Sequence, residues 1–580
     1  MTRDGGAQNK RRRTVYGIIL FVILMVLLFL PLLQGFFQLI PVKPLNGAIM
    51  KMESPKFDMN SYRSGDYAKQ QEAYVSEHFG FREPIIRLYN QYLWTFYKKT
   101  YAHDVVAGKD GWLYYPQSVN DYYGKELLIW HPSVEEAKKT FDLEVKYMDW
   151  ARTILKENGI ELMVFMAPEK SFVYPEHLPE CSYDTTTFNA CDYFYQKFSE
   201  IGFPCIEMTR WFQQIKDTAN CLLIPQTGGH WNFSSVYAAD SLFRYMETLK
   251  GIDMPDIQIG EWHTADKYAN EAETDLELLL NLTWPIRKRQ SLAPEAVVNV
   301  TKDTMTTKPK VLFIGNSYFW RIAHYIPLDE MFDQVEFWYY YSTAYFGKDF
   351  SQTAPIVAPS LLEKLLDFDY VVWFMTGNQM NKGLSGFAQN AVVSLCVDDS
   401  LMNAHIIHLK DSLSIDQWDA MMMIYKHPEL IPELRGDTLC LKNRDIPYAK
   451  ITKDIRKDSA WMAALEAQAF LRSATMVQML HAEVDRINAG KPLYKDQTAE
   501  IQFSLQCQEE AKEWMIRLSN SEKLMPSIRE KAQKYHKTLE QAIEDDAIWI
   551  TREKYGLDHC RLIDDPDAQI VLPTTQDPAL

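Results

Sequence analysis

The chain has 580 residues, more than one hydrophobic core usually serves, so two or three folded units are expected. Hydrophobic residues at 47% and charged residues at 24% exclude wholesale disorder. A formal charge of −16, without basic stripes interleaved with aromatics, argues against nucleic acid as a partner.

Residues 1–14 read as a basic cytosolic tail, with Lys10, Arg11, Arg12 and Arg13 placed just ahead of an uncharged stretch, 15–40. That stretch is long enough to cross a ~30 Å hydrocarbon core as a helix. The positive-inside rule then leaves the N-terminus in the cytosol and the bulk of the chain outside. A cleaved signal peptide would carry an apolar region of only ~7–15 residues and a small-x-small site. Here the stretch is longer and ends in Phe36, Phe37, Leu39 and Ile40, so an uncleaved single-pass anchor is expected.

Residues 41–104 read as a stalk that becomes helical, with an amphipathic run through Ile85, Leu88, Tyr89, Tyr92, Leu93 and Phe96. From 105 to 450 the character changes. Short apolar runs at 162–166, 204–207, 311–314, 335–341 and 370–375 are each followed by a turn and a helix-like pattern. Non-alternating runs of this length suit strands buried on both faces. The expected fold is therefore α/β, a doubly wound and mainly parallel sheet, with ligands bound along the edge where the strands end.

Residues 451–580 read as a helical extension. Asp458 or Ser459 can cap a helix whose stripe runs from Met462 to Ile487 and stops at Gly490. Two more helices are expected near 496–519 and 521–545, before a tail that frays from Asp564. All eight cysteines lie beyond the anchor, and Cys181 and Cys191 bracket a Thr-rich loop that suits a disulfide. No Cys-x-x-Cys occurs, so a thiolate zinc site is not expected. No cofactor is expected.

Two segments carry chemistry. In Lys310-Val-Leu-Phe-Ile-Gly-Asn-Ser317 a buried strand meets a tight turn and then a helix start. A serine there can be a nucleophile beside unpaired backbone N–H groups, or simply an N-cap. In Gln226-Thr-Gly-Gly-His230-Trp-Asn232 a histidine sits in a Gly-rich turn. Imidazole is the natural base for a serine hydroxyl, although such a histidine can also be a plain loop residue.

Together these segments resemble the SGNH-hydrolase-like periplasmic O-acetyltransferases of bacterial exopolysaccharide systems, the group that contains the alginate O-acetylation proteins. Phe79-Gly-Phe-Arg82, Val105-Val-Ala-Gly-Lys-Asp-Gly-Trp-Leu-Tyr114, Ala167-Pro-Glu-Lys170 and Tyr174-Pro-Glu-His-Leu-Pro179 are similar to the family's early segments. The His230-Trp231 and Gly315-Asn-Ser317 blocks follow in the family's order, and the resemblance covers roughly 75–390. It implies Ser317 as nucleophile and His230 as its base. The family's acid lies two residues before the histidine, where this chain has Gly228, and no Asp-x-His occurs anywhere. Three outcomes follow: a Ser–His dyad held by a backbone carbonyl, a carboxylate from elsewhere, or a domain that binds without turnover. Asp240 and Asp275 are both conceivable acids, and nothing in the sequence chooses between them. For the oxyanion the resemblance points to the turn after the strand at 370–375, at Asn378 or Gln379, with Asn316 as a further candidate. Tyr339, Tyr340, Tyr341 and Trp320 could line the site edge and stack on sugar rings, or belong to the core.

The implied function is O-acetylation of an extracytoplasmic polysaccharide at the bacterial inner membrane through an acyl-enzyme. The resemblance also implies a multi-spanning membrane acyl-transfer protein as partner. An acetyl esterase and a non-catalytic polysaccharide-binding scaffold are the alternatives.

Overall fold

The computed structural model describes residues 4–47, 53–180, 188–264, 273–286, 294–301, 305–436, 446–472, 474, 476–521, 523–535 and 537–555. They fall into two compact units, Met1–Leu439 and Cys440–Leu580.

Helix α1 (Asp4–Phe37) contains the apolar stretch Val15–Phe37, the one helix among the described residues long and apolar enough to cross a membrane. Near its end it meets the loop before helix α2 (Arg82–Tyr97) at very short range. A Cβ on Gly80 would collide with the Pro31 carbonyl oxygen, and one on Gly35 would stand 3.0 Å from the His78 carbonyl. Only glycine lets the two backbones come so close. Helix α2 in turn buries Trp94 among Val105, Leu113, Leu276 and Leu280.

The centre of this unit is a seven-stranded sheet. Its strands are β1 (Glu161–Ala167), β2 (Cys205–Glu207), β3 (Lys310–Gly315), β4 (Gln334–Tyr339), β5 (Thr343–Phe346), β6 (Gln352–Pro355) and β7 (Tyr370–Thr376). They lie in the order β6-β5-β4-β3-β7-β1-β2. The five strands from β4 to β2 pair in parallel, and β5 and β6 add antiparallel pairs at one edge. The expected mainly parallel α/β sheet is thus observed.

Strands β1 and β7 are buried at every position, which is why their sequences are continuously apolar instead of alternating. Side chains still alternate between the faces. Met163, Phe165, Phe313, Val372 and Phe374 pack with Val236, Leu242, Phe243 and Met246 of helix α4 (Ser234–Lys250). Helix α3 (Val134–Glu157) also packs on β1, and helix α7 (Phe387–Cys396) packs on α3. Ser133 starts α3 by accepting the Glu136 N–H at 3.2 Å.

Some expectations need correction. The run 335–341 ends as a strand at Tyr339, because Tyr340 and Tyr341 adopt left-handed φ of 48° and 51° and turn the chain toward β5. Cys191 does not form the expected disulfide. It is a free, buried thiol donating to the Met166 sulfur at 3.4 Å, packed inside the fold instead of facing the loop. Cys181 lies outside the described residues.

The second unit is helical. Asp458 accepts the N–H groups of Ala460 and Trp461, as a cap should. The stripe expected as one helix is split between Ser459–Arg472 and Met476–Asn488, because the Ala474 N–H turns back to Ala469 O and closes the first. Leu465, Met479, Leu480 and Val484 still share one core with Tyr494. The helix expected at 496–519 is Thr498–Ser519. The one expected at 521–545 is likewise two helices, Met525–Lys534 and Leu539–Tyr555, with the Lys537 N–H closing on Ala532 O. Cys507 is disulfide-bonded. The tail from Asp564 lies outside the described residues.

Candidate active site

Strand β3 delivers Ser317 to the carboxyl edge of the sheet. Gly315 is required there, because a Cβ would collide with the Phe374 carbonyl oxygen of the neighbouring β7. Helix α6 (Phe319–Tyr325) begins two residues after the serine. Asn316, fully buried, braces this turn: its Oδ1 accepts the Tyr318 N–H at 3.2 Å and its Nδ2 donates to Thr376 Oγ1 at 2.8 Å. One of the backbone N–H groups expected to face an oxyanion is therefore already engaged.

His230 comes from the turn before α4. Its Nε2 lies 2.7 Å from Ser317 Oγ. Gly229 leaves room for the Tyr115 ring, which a Cβ at that position would strike. The Trp231 ring is wholly buried and its Nε1 donates to Tyr318 O at 2.9 Å, locking the histidine turn onto the serine turn.

The carboxylate that meets His230 is neither at position 228 nor Asp240. Asp240 lies on α4 beside Arg244. His230 Nδ1 instead hydrogen-bonds to Oδ2 of Asp275, the first residue of the short helix α5 (Asp275–Leu279). Asp275 Oδ1 accepts the N–H groups of Gly229 and Leu276 at 2.7 and 2.8 Å. Its Oδ2 also faces the Tyr115 hydroxyl at 3.5 Å. A carboxylate accepts only, so His230 carries its proton on Nδ1 and leaves Nε2 open to the serine proton.

Two sets of bonds seat this helix. The Thr227 carbonyl accepts the Glu277 N–H at 3.1 Å, and the Thr227 hydroxyl donates to Glu273 O at 2.9 Å. On the far side, Asn46 and Asn281 clasp each other. Asn46 N–H donates to Asn281 Oδ1 at 2.7 Å and Asn281 Nδ2 donates to Asn46 O at 3.0 Å. Asn90 of α2 donates to Leu280 O at 2.8 Å.

Behind the histidine turn lies Lys170, the last residue of Ala167-Pro-Glu-Lys. Its ammonium is buried and donates to the carbonyls of Leu113, Pro225, Gln226 and Gly228 at 2.6–3.1 Å. The position that would hold the family's acid therefore serves as an acceptor for a buried cation. Next to it, Glu169 accepts the Ser118 hydroxyl, and the backbone N–H groups of Asn378, Ser171 and Lys170 lie near its carboxyl. Burial outweighs these influences and pushes the carboxyl above the ordinary range.

The Tyr340 side chain lies close to Ser317; burial raises this phenol above its usual value, and the neighbouring serine hydroxyl opposes the rise. Its backbone N–H donates to Gly315 O at 2.7 Å, which holds the left-handed turn at the site. Of the other aromatics, Tyr341 accepts Asn390 Nδ2 on its hydroxyl at 3.0 Å and rests on Phe387. Trp320 packs on Phe337, Tyr345 and Phe350, within or against the core. Tyr339 packs against Trp320 and Tyr340.

Asn378 follows β7. Its Oδ1 accepts the Thr376 hydroxyl at 2.7 Å, and its backbone carbonyl accepts Asn381 Nδ2 at 3.1 Å. Gln379 stands beside it, half-buried, in the same turn, Gly377–Lys382. Among the described residues no cluster of three or more His, Cys, Asp or Glu could hold a metal ion.

Residues 105–325 match the family model described as an SGNH hydrolase-like domain, acetyltransferase AlgX. Among solved structures, the O-acetyltransferase domain of Pseudomonas putida AlgJ is similar at 15% identity and a TM-score of 0.32, covering 50% of this chain and 98% of that one. Pseudomonas aeruginosa AlgX follows at 12% identity and a TM-score of 0.31, with 50% and 67% covered. Bacillus cereus PatB1 is similar at 10% identity and a TM-score of 0.30, with 48% and 98% covered. No curated protein matches the chain by sequence.

Proposed function

We propose, from the premise that residues 105–325 form an SGNH hydrolase-like domain of the AlgX acetyltransferase kind, that the chain O-acetylates an extracytoplasmic polysaccharide. The observation that carries the reading is the hydrogen-bonded series Ser317–His230–Asp275 at the end of the parallel strands.

Ser317 Oγ attacks the carbonyl carbon of an acetyl donor while His230 Nε2 takes its proton. Asp275 stabilises the imidazolium that forms. The tetrahedral intermediate collapses, the donor's oxygen leaves with the proton from His230, and acetyl-Ser317 remains. A sugar hydroxyl then gives its proton to His230 and attacks the ester, which restores Ser317 Oγ–H and places the acetyl group on the polymer. Asn378 Nδ2 is the oxyanion donor in this scheme, with Thr376 orienting its amide by holding the oxygen. Gln379 is the next candidate, and Asn316 supports the turn.

In this reading α1 is a single-pass anchor in a bacterial inner membrane, with the basic tail in the cytosol and the site outside. A multi-spanning acyl-transfer protein would deliver the acetyl group across the bilayer.

The test uses the full chain in nanodiscs with p-nitrophenyl acetate as donor and a panel of unacetylated oligosaccharides as acceptors. Acetyl on the Ser317 peptide, followed by acetyl on sugar, supports the proposal. Acetylated Ser317 that releases only acetate makes the protein an esterase. A Ser317 peptide no more acetylated than background in Ser317→Ala and His230→Ala controls leaves the scaffold reading.

A further inference from the structure

Helix α2 presents its apolar side outward. Its inner side is tied down by the buried Trp94, by Asn90 on Leu280 O, and by Arg87 Nη2 on Pro44 O at 2.8 Å. Outward stand Ile85, Leu88, Tyr89, Tyr92 and Phe96, with exposures from 48% at Tyr92 to 70% at Phe96. Their spacing of three, four, seven and eleven places them along one side of the helix. A helix facing water would carry polar residues there. A contiguous apolar stripe of this kind marks a surface made to be covered.

The structure also indicates what covers it. Val15–Phe37 has 23 residues, which as a helix spans about 34 Å and matches a ~30 Å hydrocarbon core with a short overhang. Gly80 contacts this helix at Pro31 and Gly35, close to its outer end. Helix α2 opens at Arg82, two residues after Gly80, so the start of the stripe at Ile85 stands near the outer end of the apolar helix. The stripe mixes tyrosines with Ile, Leu and Phe, the composition of residues at a membrane–water boundary. Lys98 and Lys99 lie exposed at the helix end, where anionic headgroups would meet them.

We infer that α2 lies along the outer headgroup layer of the bilayer, with the Ile85–Leu88–Tyr89–Tyr92–Phe96 stripe sunk into the lipid. This rests on the reading of α1 as a membrane anchor. Its consequence is that the segment holding Leu280, next to the acid-bearing helix, is braced by a helix seated on lipid.

The test places photoreactive benzoylphenylalanine in turn at Leu88, Tyr92 and Phe96 of the full chain, in vesicles of phosphatidylethanolamine and phosphatidylglycerol. Trp418, exposed on another helix, is the negative reference, and Leu24 within α1 is the positive one. Lipid adducts at the three α2 positions about tenfold above Trp418 are expected. Adducts at Leu24 with α2 no higher than Trp418 would overturn the inference and leave the anchor standing. No adducts at Leu24 would overturn the anchor itself. In cell membranes, adducts at these α2 positions that are mainly protein would assign the stripe to a protein partner instead. An unchanged thermal midpoint checks that each variant is folded.

Discussion

Replacing Asp275 by asparagine tests its proposed role as the acid with little disturbance to its seat. The asparagine Oδ1 can still accept the N–H groups of Gly229 and Leu276, now 2.7 and 2.8 Å from the carboxylate. Its Nδ2, however, donates where the carboxylate accepted. His230 must then put its proton on Nε2, the atom 2.7 Å from Ser317 Oγ, and can no longer take the serine proton. The imidazolium also loses its counter-charge. A wrong-tautomer substitution in a serine triad costs about 10⁴ in rate, or about 5 kcal/mol of transition-state stabilisation. The assay is acetylation of Ser317 by p-nitrophenyl acetate under single-turnover conditions, beside the thermal midpoint. Asp240→Asn, which alters only a pair with Arg244 on α4, is expected to react like the parent protein. If Asp275→Asn kept its rate within about tenfold of the parent while remaining folded, the triad reasoning would be refuted.

Three further outcomes follow from neighbouring groups. Lys170→Met removes the ammonium from the carbonyls of Leu113, Pro225 and Gly228, while Gln226 O keeps the Leu113 N–H, so a loss of about 3–5 kcal/mol is expected, read as a fall in the denaturant midpoint together with slower Ser317 labelling. Tyr340→Phe removes a hydroxyl that stands close to Ser317 and is expected to slow acylation about tenfold or less, with an unchanged thermal midpoint. Glu144 is fully buried, and burial lifts its carboxyl from an ordinary 4.5 to about 7, against the opposing bonds from Gln389 and the Leu384 N–H. Its folded pKa lies above its unfolded one, so its contribution is whole below pH 4.5 and is lost as pH rises through about 7. The loss is on the order of 3 kcal/mol. Melting should fall between pH 5 and pH 8, and Glu144→Gln should flatten that slope.

The sheet and the turns that carry Ser317 and His230 are legible in the sequence because their apolar runs and glycines form local patterns. Runs such as Val311-Leu-Phe-Ile, apolar at every position, admit little but a strand covered on both faces. Gly315 and Gly229 mark the two turns by composition, although what demands glycine there, the Phe374 carbonyl and the Tyr115 ring, comes from distant parts of the chain. Asp275 is not legible in this way. Its partner lies 45 residues earlier and is met only through space, and its neighbours Glu273 and Glu277 make it look like part of a solvated acidic run. Lys170 stands in a recognisable segment, but a lysine held by four carbonyls has the same letter as a lysine in water. Cys191 misleads for the opposite reason, since spacing suggests a loop closure while the side chain turns inward to Met166. The split helices of the second unit escape sequence reading because the apolar stripe continues across the first break, and both halves serve one core.

The clasp between Asn46 and Asn281 makes the proposed chemistry depend on a part of the chain that looks dispensable. A shortened, soluble version that begins after the apolar helix and its stalk, near residue 105, would keep every residue of the triad. It would also discard Asn46 and Asn90, and with them the bonds that fix the backbone just beyond Asp275. Poor turnover by such a fragment would then follow from where it was cut, with the triad itself intact.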